Sequence, residues 1–337
     1  MKVTFDWTAA TLEHPFVVSH TVVDTIETVR CTIDAGAYGV GRGVSTFGPW
    51  ADTTVTSLRR GETVTAETLE CLTTFVDVTD VTAFGARLRR SGEVPAGLRA
   101  AVEMAALDLV CQASELPLAE ILGAPESAVL PILTTVSVGA LDSATARGRL
   151  KVKVDNATVD LHLDRLAVLA EESELIVFDG NRSLDDSRFA ALARAIAGRG
   201  QVYFEDPTAT PATWATVAPS PDSVFIEDES VHCAADATSA LRRGHGINIK
   251  ALKFGGVLSA RDCFEYARHT HPHQPRMVSC FVEEPEMIAL SATVCGGYAD
   301  IVDLDGHRIL ASTEAVTANA ALEVNGSWVG LPILASS

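Results

Sequence analysis

The second half of the chain repeats one unit, a short run of β-forming residues followed by a segment that fits a helix. Intervals of 26, 26, 23 and 22 residues separate the charged ends of five successive runs, from Lys153 to Lys250. One strand, one helix and two loops need about that many residues. The eight runs after residue 130 are LPILTTVSV, LKVKV, ELIVFD, QVYFED, SVFIED, GINIK, RMVSCF and DIVDLD. Eight strands favour a closed, TIM-type (β/α) barrel over a doubly wound open sheet.

The first part of the chain has a different pattern. Residues 1–60 read as strands and turns, and AYGVGRGV, residues 37–44, is rich in glycine. The run GVGRG lacks the third glycine of a dinucleotide-binding loop, so it predicts a glycine-rich turn. From about residue 64 to residue 122 the pattern becomes helical, with apolar residues three and four apart in residues 97–115.

Charged residues stand at or near the ends of almost all the β-rich runs. Catalytic groups of such barrels lie at the carboxyl ends of the strands, so these side chains should meet at one mouth. They are Lys151, Lys153, Asp179, Glu205, Asp228, Lys250, Asp303 and Asp305. The sequence therefore predicts a ring of charge around the mouth.

Three carboxylates in this ring, Asp179, Glu205 and Asp228, come from consecutive strands. Without a cation they would repel one another, and some would stay protonated. Hard oxygen ligands with open coordination positions suit Mg²⁺, and Ca²⁺ or Mn²⁺ fit the same pattern. We expect a Mg²⁺ site, with a solvated acidic rim as the alternative.

Lys151 and Lys153 are two residues apart, so both side chains point to one face of their strand. A like charge and a nearby dication make protonation costlier, so we expect a lysine pKa lowered toward neutrality. Such a lysine can take a proton from carbon and return one. Lys250 should face the pair from the other side of the mouth. A strand-edge pair leading into solvent is the alternative for Lys151 and Lys153.

The motifs LKVKV, FDGN, FEDP, EDES and NIKALKFGG occur in this order. As a set they resemble the enolase superfamily, in particular its muconate-lactonizing-enzyme subgroup, and are most similar to dipeptide epimerases. The resemblance implies an α/β fold in which a modified (β/α)8 barrel carries an α+β capping domain. The domains would be the cap over residues 1–123, the barrel over residues 124–310, and a tail, residues 311–337, that returns to the cap and completes it.

The resemblance also implies a role for each charged strand end. Asp179, Glu205 and Asp228 would be the metal ligands. Lys153 and Lys250 would be the acid and base on opposite faces of the substrate, with Lys151 as an auxiliary lysine. The implied reaction is a Mg²⁺-dependent 1,1-proton transfer that passes through a metal-stabilised enediolate and inverts the α-carbon of the dipeptide's C-terminal residue.

The motif VDLDG, residues 302–306, resembles the DxD of dipeptide epimerases, which holds the α-ammonium group of the substrate. Asp303 and Asp305 share a strand face and offer two acceptors to one cation, although an aspartate-rich strand end is the alternative. The other implied substrate contacts are Thr135, Phe281, Val282 and His20. His20 lies near the place where Glu-specific relatives carry an arginine, so a more apolar or otherwise different second residue is expected.

Other functions fit the same fold. The first alternative is an o-succinylbenzoate synthase, an N-acylamino-acid racemase or a cycloisomerase. Those substrates carry no free α-ammonium group, so Asp303 and Asp305 distinguish them from dipeptides. The second alternative is a non-catalytic homologue that binds a metal or ligand.

Composition limits the partners and the location. Forty-four acidic against 26 basic residues give a net charge of −18, which argues against a nucleic-acid partner. Seven scattered cysteines without a CxxC pair predict reduced thiols. The first residues show no signal-type apolar core, and no long apolar run follows. We expect a cytoplasmic homo-oligomer that acts on a small dipeptide or other carboxylate, away from membranes.

Overall fold

The computed structural model describes most of the chain. The described residues are 1–18, 21–48, 53–70, 72, 74–124, 130–137, 140–141, 148–219, 223–310, 323–324 and 327–328. Six of the seven cysteines lie within these residues, and all six are free thiols, in agreement with the expected absence of a disulfide framework. Among the described residues, no helix combines the length and the apolar character needed to cross a bilayer.

The N-terminal part is an antiparallel sheet followed by helices. The sheet has the order β1 (Lys2–Val18), β2 (Thr21–Asp34) and β3 (Val40–Phe47). The helices are α1 (Val55–Glu70), α2 (Val78–Ser91), α3 (Ala96–Ser114) and α4 (Leu118–Leu122). These elements form the α+β unit that the resemblance predicts.

The glycine-rich run is partly a turn, because Gly36–Tyr38 form a 3-10 turn that ends at Gly39, whereas Gly41 and Gly43 lie in strand β3. The prediction of a turn is therefore wrong for these last two glycines. A Cβ atom on Gly41 would lie 2.0 Å from the carbonyl oxygen of Ala105, and one on Gly43 would lie 2.0 Å from that of Ala101. Both carbonyls belong to α3. The glycines are therefore needed because the backbone of α3 packs directly on the strand, a close approach that no side chain allows.

Helix α3 connects the cap to the barrel. Residues 100–111 of this helix are all buried, since the cap sheet covers one side and α9 (Ala251–Phe254) of the barrel covers another. A helix that is apolar on every side is typical of such a central position. Its two acidic residues have backbone partners. Asp108 accepts a hydrogen bond from the Arg42 amide at 2.9 Å, and Glu103 accepts one from the Leu258 amide at 3.1 Å.

After β4 (Leu130–Pro131), parallel strands alternate with helices. The strands are β5 (Thr134–Val136), β6 (Arg149–Lys153), β7 (Leu175–Asp179), β8 (Val202–Glu205), β9 (Val224–Glu227), β10 (Gly246–Lys250), β11 (Arg276–Ser279) and β12 (Ile301–Asp303). Besides α9, the helices are α5 (Asn156–Glu172), α6 (Asp186–Ile196), α7 (Trp214–Val217), α8 (Ala234–Arg242), α10 (Val257–Thr270) and α11 (Pro285–Cys295).

Neighbouring strands pair in sequence order from β5 to β12, which gives the eight parallel strands that the spacing predicts. The two outer strands, β5 and β12, also come together. The Leu133 amide, one residue before β5, donates to the Val302 carbonyl of β12 at 2.8 Å. The sheet is thus a nearly closed barrel. The predicted fold class, a modified (β/α)8 barrel with an α+β cap, is confirmed.

The described part of the tail is a short hairpin. Strand β13 (Glu323–Val324) pairs with β14 (Ser327–Trp328), which in turn pairs with β4 at the entry to the barrel. The exact domain division at residues 123 and 310, and the return of residues 311–337 to the cap, stay predictions.

Side chains that point into the barrel form two layers. The lower layer is apolar and consists of Leu133, Leu175, Val177, Ile226, Met277 and Ile301, with Tyr203 packed against it. Because side chains alternate along a strand, residues two positions after members of this layer lie above it on the same face; they include Thr135, Asp179, Glu205, Asp228 and Asp303. An apolar layer thus fills the barrel below the charged mouth.

The cap–barrel contact through Glu103 should make stability depend on pH. Burial raises the pKa of Glu103 from 4.5 to about 7. The native state then binds more protons than the unfolded state between these values, so stability should fall as the pH rises through this window. In Glu103→Gln the amide oxygen can still accept from Leu258, but no charge forms. Between about pH 5 and pH 8, the free energy of unfolding should therefore fall more in the wild-type protein than in Glu103→Gln. We expect a difference on the order of 2–3 kcal/mol.

Urea unfolding followed by circular dichroism at both pH values measures the difference. The exposed Glu172→Gln serves as the control, because it removes a carboxylate from the surface of α5. Equal pH dependence in the wild-type protein and Glu103→Gln would contradict the role assigned to this buried carboxylate.

Candidate active site

The barrel brings the predicted charged residues to one mouth. Strand pairing sets Lys153 level with Asp179, and Asp179 level with Glu205. Asp228 lies one residue after the end of β9, and Lys250 is the last residue of β10. Strand β10 is the fourth strand after β6 in the eight-strand order, with β7, β8 and β9 between them, so Lys153 and Lys250 stand on opposite sides of the mouth.

Each of these two lysines is bonded to a carboxylate. Lys153 Nζ donates to Asp179 Oδ2 at 2.6 Å and to Asn181 Oδ1 at 3.0 Å. Lys250 Nζ forms an ion pair with Asp228 and lies 5.0 Å from the centre of the Phe281 ring. Besides its carboxylate, each amine therefore has a different second contact: the side-chain amide of Asn181 for Lys153, and the aromatic ring of Phe281 for Lys250.

Lys151 lies at the centre of the charge cluster. Its Nζ is 3.0 Å from Asp179 Oδ2, 2.9 Å from Glu205 Oε2 and 2.9 Å from Asp303 Oδ2, and the side chain is only 4 % exposed. Burial opposes the positive charge, but Asp179, Asp303 and Glu205 together raise the pKa of Lys151 well above its ordinary value.

The sequence predicts a lowered lysine pKa for Lys151 and Lys153 beside a bound dication, whereas the side chains by themselves raise the pKa of Lys151, so the lowering stays a prediction for the metal-bound site. Asp228 likewise raises the pKa of Lys250 against the effect of burial. The physical reason is proximity. Carboxylates contact each ammonium group directly, and an opposite charge within about 4–6 Å outweighs a more distant like charge.

The three carboxylates have unequal surroundings. Lys151 and Lys153 lower the pKa of Asp179 to about 2 although burial opposes this, and Lys250 and Lys253 lower that of Asp228 well below its usual range. Burial and the neighbouring Asp179 raise the pKa of Glu205 to about 8. The neighbouring lysines thus do not fully offset the effects that disfavour a negative charge on Glu205.

This donor set suits a hard divalent cation. Carboxylate oxygens from three adjacent strands are buried together, and the pKa of Glu205 is raised first by its burial and then by the charge of Asp179. As the side chains stand, no three His, Cys, Asp or Glu residues among those described surround a common metal position. The ammonium groups of the lysines lie among the carboxylates instead. The residues fit Mg²⁺ by their chemistry, and their role as ligands stays a prediction.

Asp303 and Asp305 lie together, as predicted, and Thr135 connects them. The Thr135 amide donates to Asp305 Oδ2 at 2.9 Å, and its hydroxyl lies 3.2 Å from Asp305 Oδ1 and 3.5 Å from Asp303 Oδ1. Burial and the charge of Asp303 raise the pKa of Asp305 to about 6. A cation beside this pair would relieve the repulsion between the two carboxylates.

The remaining predicted substrate residues are less closely grouped. Phe281 and Lys253 line a cavity of about 450 Å³ between the barrel and the cap, together with Phe47 and Arg99. Val282 is buried in an apolar cluster with residues of the cap sheet, and its carbonyl accepts from the Thr46 hydroxyl at 2.8 Å. His20 lies outside the described residues. Contact of these side chains with a substrate stays a prediction.

Sequence analysis missed several residues of the site. Lys253, which the motif NIKALKFGG contains, donates to Asp228 Oδ1 at 2.6 Å. Asn248 donates to Glu205 Oε1 at 2.8 Å. Burial and a hydrogen bond with Glu229 raise the pKa of Asp206 to about 10. Each lies within three residues of a predicted site residue. The signal that could have found them is this adjacency within the motifs.

Comparison with known proteins agrees with this architecture. Residues 2–123 match the N-terminal domain of mandelate racemase / muconate lactonizing enzyme, and residues 140–295 match the family described as enolase C-terminal domain-like. The chain belongs to the enolase superfamily. The resemblance predicted from the motifs is confirmed, and the two matches correspond to the cap and the barrel.

Several members of the enolase superfamily are similar to this chain. An L-Lys-D/L-Arg epimerase from Methylococcus capsulatus is 33 % identical over 179 residues, which are 48 % of this chain and 50 % of that protein. The match thus spans about half the length of that relative. A chloromuconate cycloisomerase from Cupriavidus pinatubonensis is 28 % identical over 243 residues, 66 % of this chain and 64 % of that protein.

A solved structure shows the same superfamily fold. The dipeptide epimerase from Cytophaga hutchinsonii, complexed with Mg and the dipeptide D-Ala-L-Val, superposes with a TM-score of 0.77 and 18 % sequence identity. The superposition covers 93 % of this chain and 89 % of that chain.

Replacing Lys151 should show how strongly the stability of the protein depends on the balance of charge at the mouth. Lys151→Met leaves Asp179, Glu205 and Asp303 without their shared ammonium group, so we expect a loss of about 3–5 kcal/mol in stability. Mg²⁺ should restore part of this loss and should stabilise the variant more than it stabilises the wild-type protein. Urea unfolding in the presence of EDTA or MgCl₂ measures both effects.

Arg149→Met is the matched control, since it removes a cation from the same strand. Arg149 pairs with the largely exposed Glu174 at 2.9 Å, so this change should cost less than about 1 kcal/mol. The balance described here would be refuted if Lys151→Met and Arg149→Met were equally stable.

Proposed function

We propose that this member of the enolase superfamily is an isomerase, a Mg²⁺-dependent dipeptide epimerase that inverts the α-carbon of the C-terminal residue. The observation that carries the proposal is the position of Lys153 and Lys250 on opposite sides of one buried mouth. Inversion requires one group to remove the α-proton and another to deliver a proton to the opposite face. The epimerase relative and the structural likeness to a dipeptide epimerase support this assignment.

Asp179, Glu205 and Asp228 would hold the metal ion, and the positive charge of that ion would attract the substrate carboxylate. When bound, Mg²⁺ supplies positive charge that offsets the negative charge gained by the substrate as its α-proton leaves. Glu205 contributes a buried carboxylate whose surroundings already favour added positive charge.

The two lysines would share the proton transfer. One of them, in its neutral form, takes the α-proton, and the other, in its charged form, gives a proton to the opposite face. In the structure Lys153 is bonded to Asp179 and Lys250 to Asp228. Each amine must therefore lose one of its three protons before it can accept a proton from the substrate. Two different bases make each direction of the reaction depend on a different lysine.

Asp303 and Asp305 would bind the free α-ammonium group of the dipeptide. The Asp305 carboxylate is buried and is held by Thr135, so its position is defined before a substrate arrives. Two carboxylates on one strand face suit a single ammonium group, which can donate hydrogen bonds to both. This feature favours dipeptides over carboxylates that carry no amino group.

A second candidate function is cycloisomerisation or a related reaction of a carboxylate without an ammonium group. One observation favours it, because Lys151 already donates to Asp303 at 2.9 Å and so occupies one of the two acceptors. The similarity to a chloromuconate cycloisomerase agrees with this reading.

Assembly as a homo-oligomer and a cytoplasmic location remain predictions from the sequence.

Removing either lysine should abolish epimerisation but preserve half of the chemistry. In Lys153→Ala and Lys250→Ala we expect epimerisation to fall on the order of 1,000-fold or more, because one proton transfer is lost. Each variant should still exchange the α-hydrogen of one epimer with deuterium from solvent. A dipeptide library is incubated with Mg²⁺ in deuterated water and analysed by chiral chromatography with mass spectrometry. The appearance of the opposite epimer measures epimerisation, and the mass gain of the starting epimer measures exchange. Full epimerase activity in Lys153→Ala would contradict the mechanism.

The substrate class depends on the aspartate pair. The double variant Asp303→Asn and Asp305→Asn removes both charges that would face the α-ammonium group. For dipeptides, kcat/KM should fall by about 100-fold, since charged hydrogen bonds contribute about 1.5–3 kcal/mol each. Turnover of an N-acylated substrate should change much less. An unchanged kcat/KM with every dipeptide would refute the binding of the α-ammonium group by this pair.

A further inference from the structure

Asn181 stands directly beside the metal-ligand candidates but is not one of them. It follows β7 by two residues and has a φ of 40°, in the left-handed region that asparagine tolerates better than most residues. The next residue, Arg182, also has a positive φ, of 64°. The chain therefore turns sharply after Asp179 and presents the Asn181 side chain to the mouth.

Three hydrogen bonds fix the orientation of Asn181. The backbone N–H of Asn181 donates to Asp179 Oδ1 at 3.0 Å, and the side-chain Nδ2 donates to Glu229 Oε1 at 2.6 Å. Its Oδ1 accepts from Lys153 Nζ at 3.0 Å. A carboxylate can only accept and an ammonium can only donate, so the two side-chain partners define which end of the amide faces the lysine.

Glu229 is itself held from behind. Its backbone N–H donates to Asp206 Oδ2 at 2.5 Å, and the same oxygen accepts from the Asp228 amide at 2.9 Å. The loops after β7, β8 and β9 are thus joined by a continuous set of hydrogen bonds that ends at Lys153. The amide of Asn181 is the last member of this set.

The two catalytic candidates differ in this support. Lys250 is bonded to Asp228 and lies over the Phe281 ring, whereas Lys153 has both Asp179 and the neutral amide oxygen of Asn181. Asp179 is a proposed metal ligand, so its oxygens are needed elsewhere during the reaction. An amide oxygen can accept an N–H from a charged or a neutral amine alike.

We propose that Asn181 is a positioning residue that holds the Lys153 amine toward one face of the substrate. The inference rests on the proposed two-lysine function and deepens it. It assigns to one lysine a support that the other lacks, and it predicts that losing this support affects only one direction of proton removal.

The test is Asn181→Gly, because glycine retains the positive φ while the amide is lost. Lys153→Ala first identifies the epimer whose α-hydrogen faces Lys153. For this epimer we expect the rate of deuterium exchange in Asn181→Gly to fall by about tenfold or more, with KM changed by less than about threefold. Exchange of the opposite epimer should stay within about twofold of the wild-type rate.

Arg182→Gly is the control for loosening the loop, since it also preserves a positive φ; it removes the ion pair of Arg182 with Asp206 at 3.8 Å but leaves the Asn181 side chain in place. A general loss of structure would lower both exchange rates by the same factor, in this control and in Asn181→Gly. Equal losses for the two epimers in Asn181→Gly, or no loss for either, would overturn the proposal.

A second measurement separates this inference from the proposed function. In crystals of the wild-type protein grown with Mg²⁺, Lys153 Nζ should stay within hydrogen-bonding distance of Asn181 Oδ1, and in Asn181→Gly the amine should be displaced. An amine that occupies the same position in both crystals refutes the role of Asn181. A wild-type protein that exchanges no dipeptide refutes the proposed function instead.

Discussion

Negative charge buried at the barrel mouth must be balanced, and most features of the site depend on this requirement. Asp179, Glu205 and Asp228 lie on adjacent strands with almost no access to water. Burying an isolated carboxylate in such a place would cost several kcal/mol, because the charge loses its hydration. Lys151 and the other buried lysines supply the compensating charge. The same groups that stabilise the mouth are therefore the groups proposed to carry out the chemistry.

This double use explains the tension within the site. An ammonium group that neutralises a carboxylate is held in its charged form, as Lys151 and Lys250 are, whereas a base must give up its proton. Catalysis by these lysines thus requires the carboxylates to find another cation. The different neighbours of the two amines, Asn181 for Lys153 and Phe281 for Lys250, give the site an asymmetry that inversion of a carbon centre can use.

Helix α3 packs closely on the cap sheet and also contacts the barrel. Gly41 and Gly43 let α3 lie directly on the cap sheet, and Glu103 of the same helix reaches the start of α10. The sequence pattern predicted the helix and a turn, but it extended the turn over Gly41 and Gly43, which lie in β3. Glycine has no side chain to mark its environment, so only the approach of the α3 backbone reveals why these positions must be small.

The sequence by itself determined which side chains reach the mouth. Alternation along a strand and the common direction of parallel strands place Lys153, Asp179 and Glu205 at one end and on one face, whatever their partners are. Tertiary structure decided the partners, because contacts such as Lys151 with Asp303 join residues 152 positions apart in the chain. It also decided the protonation preferences and the roles of Asn181 and Lys253. These depend on distances of a few ångströms and on burial, which no linear spacing contains.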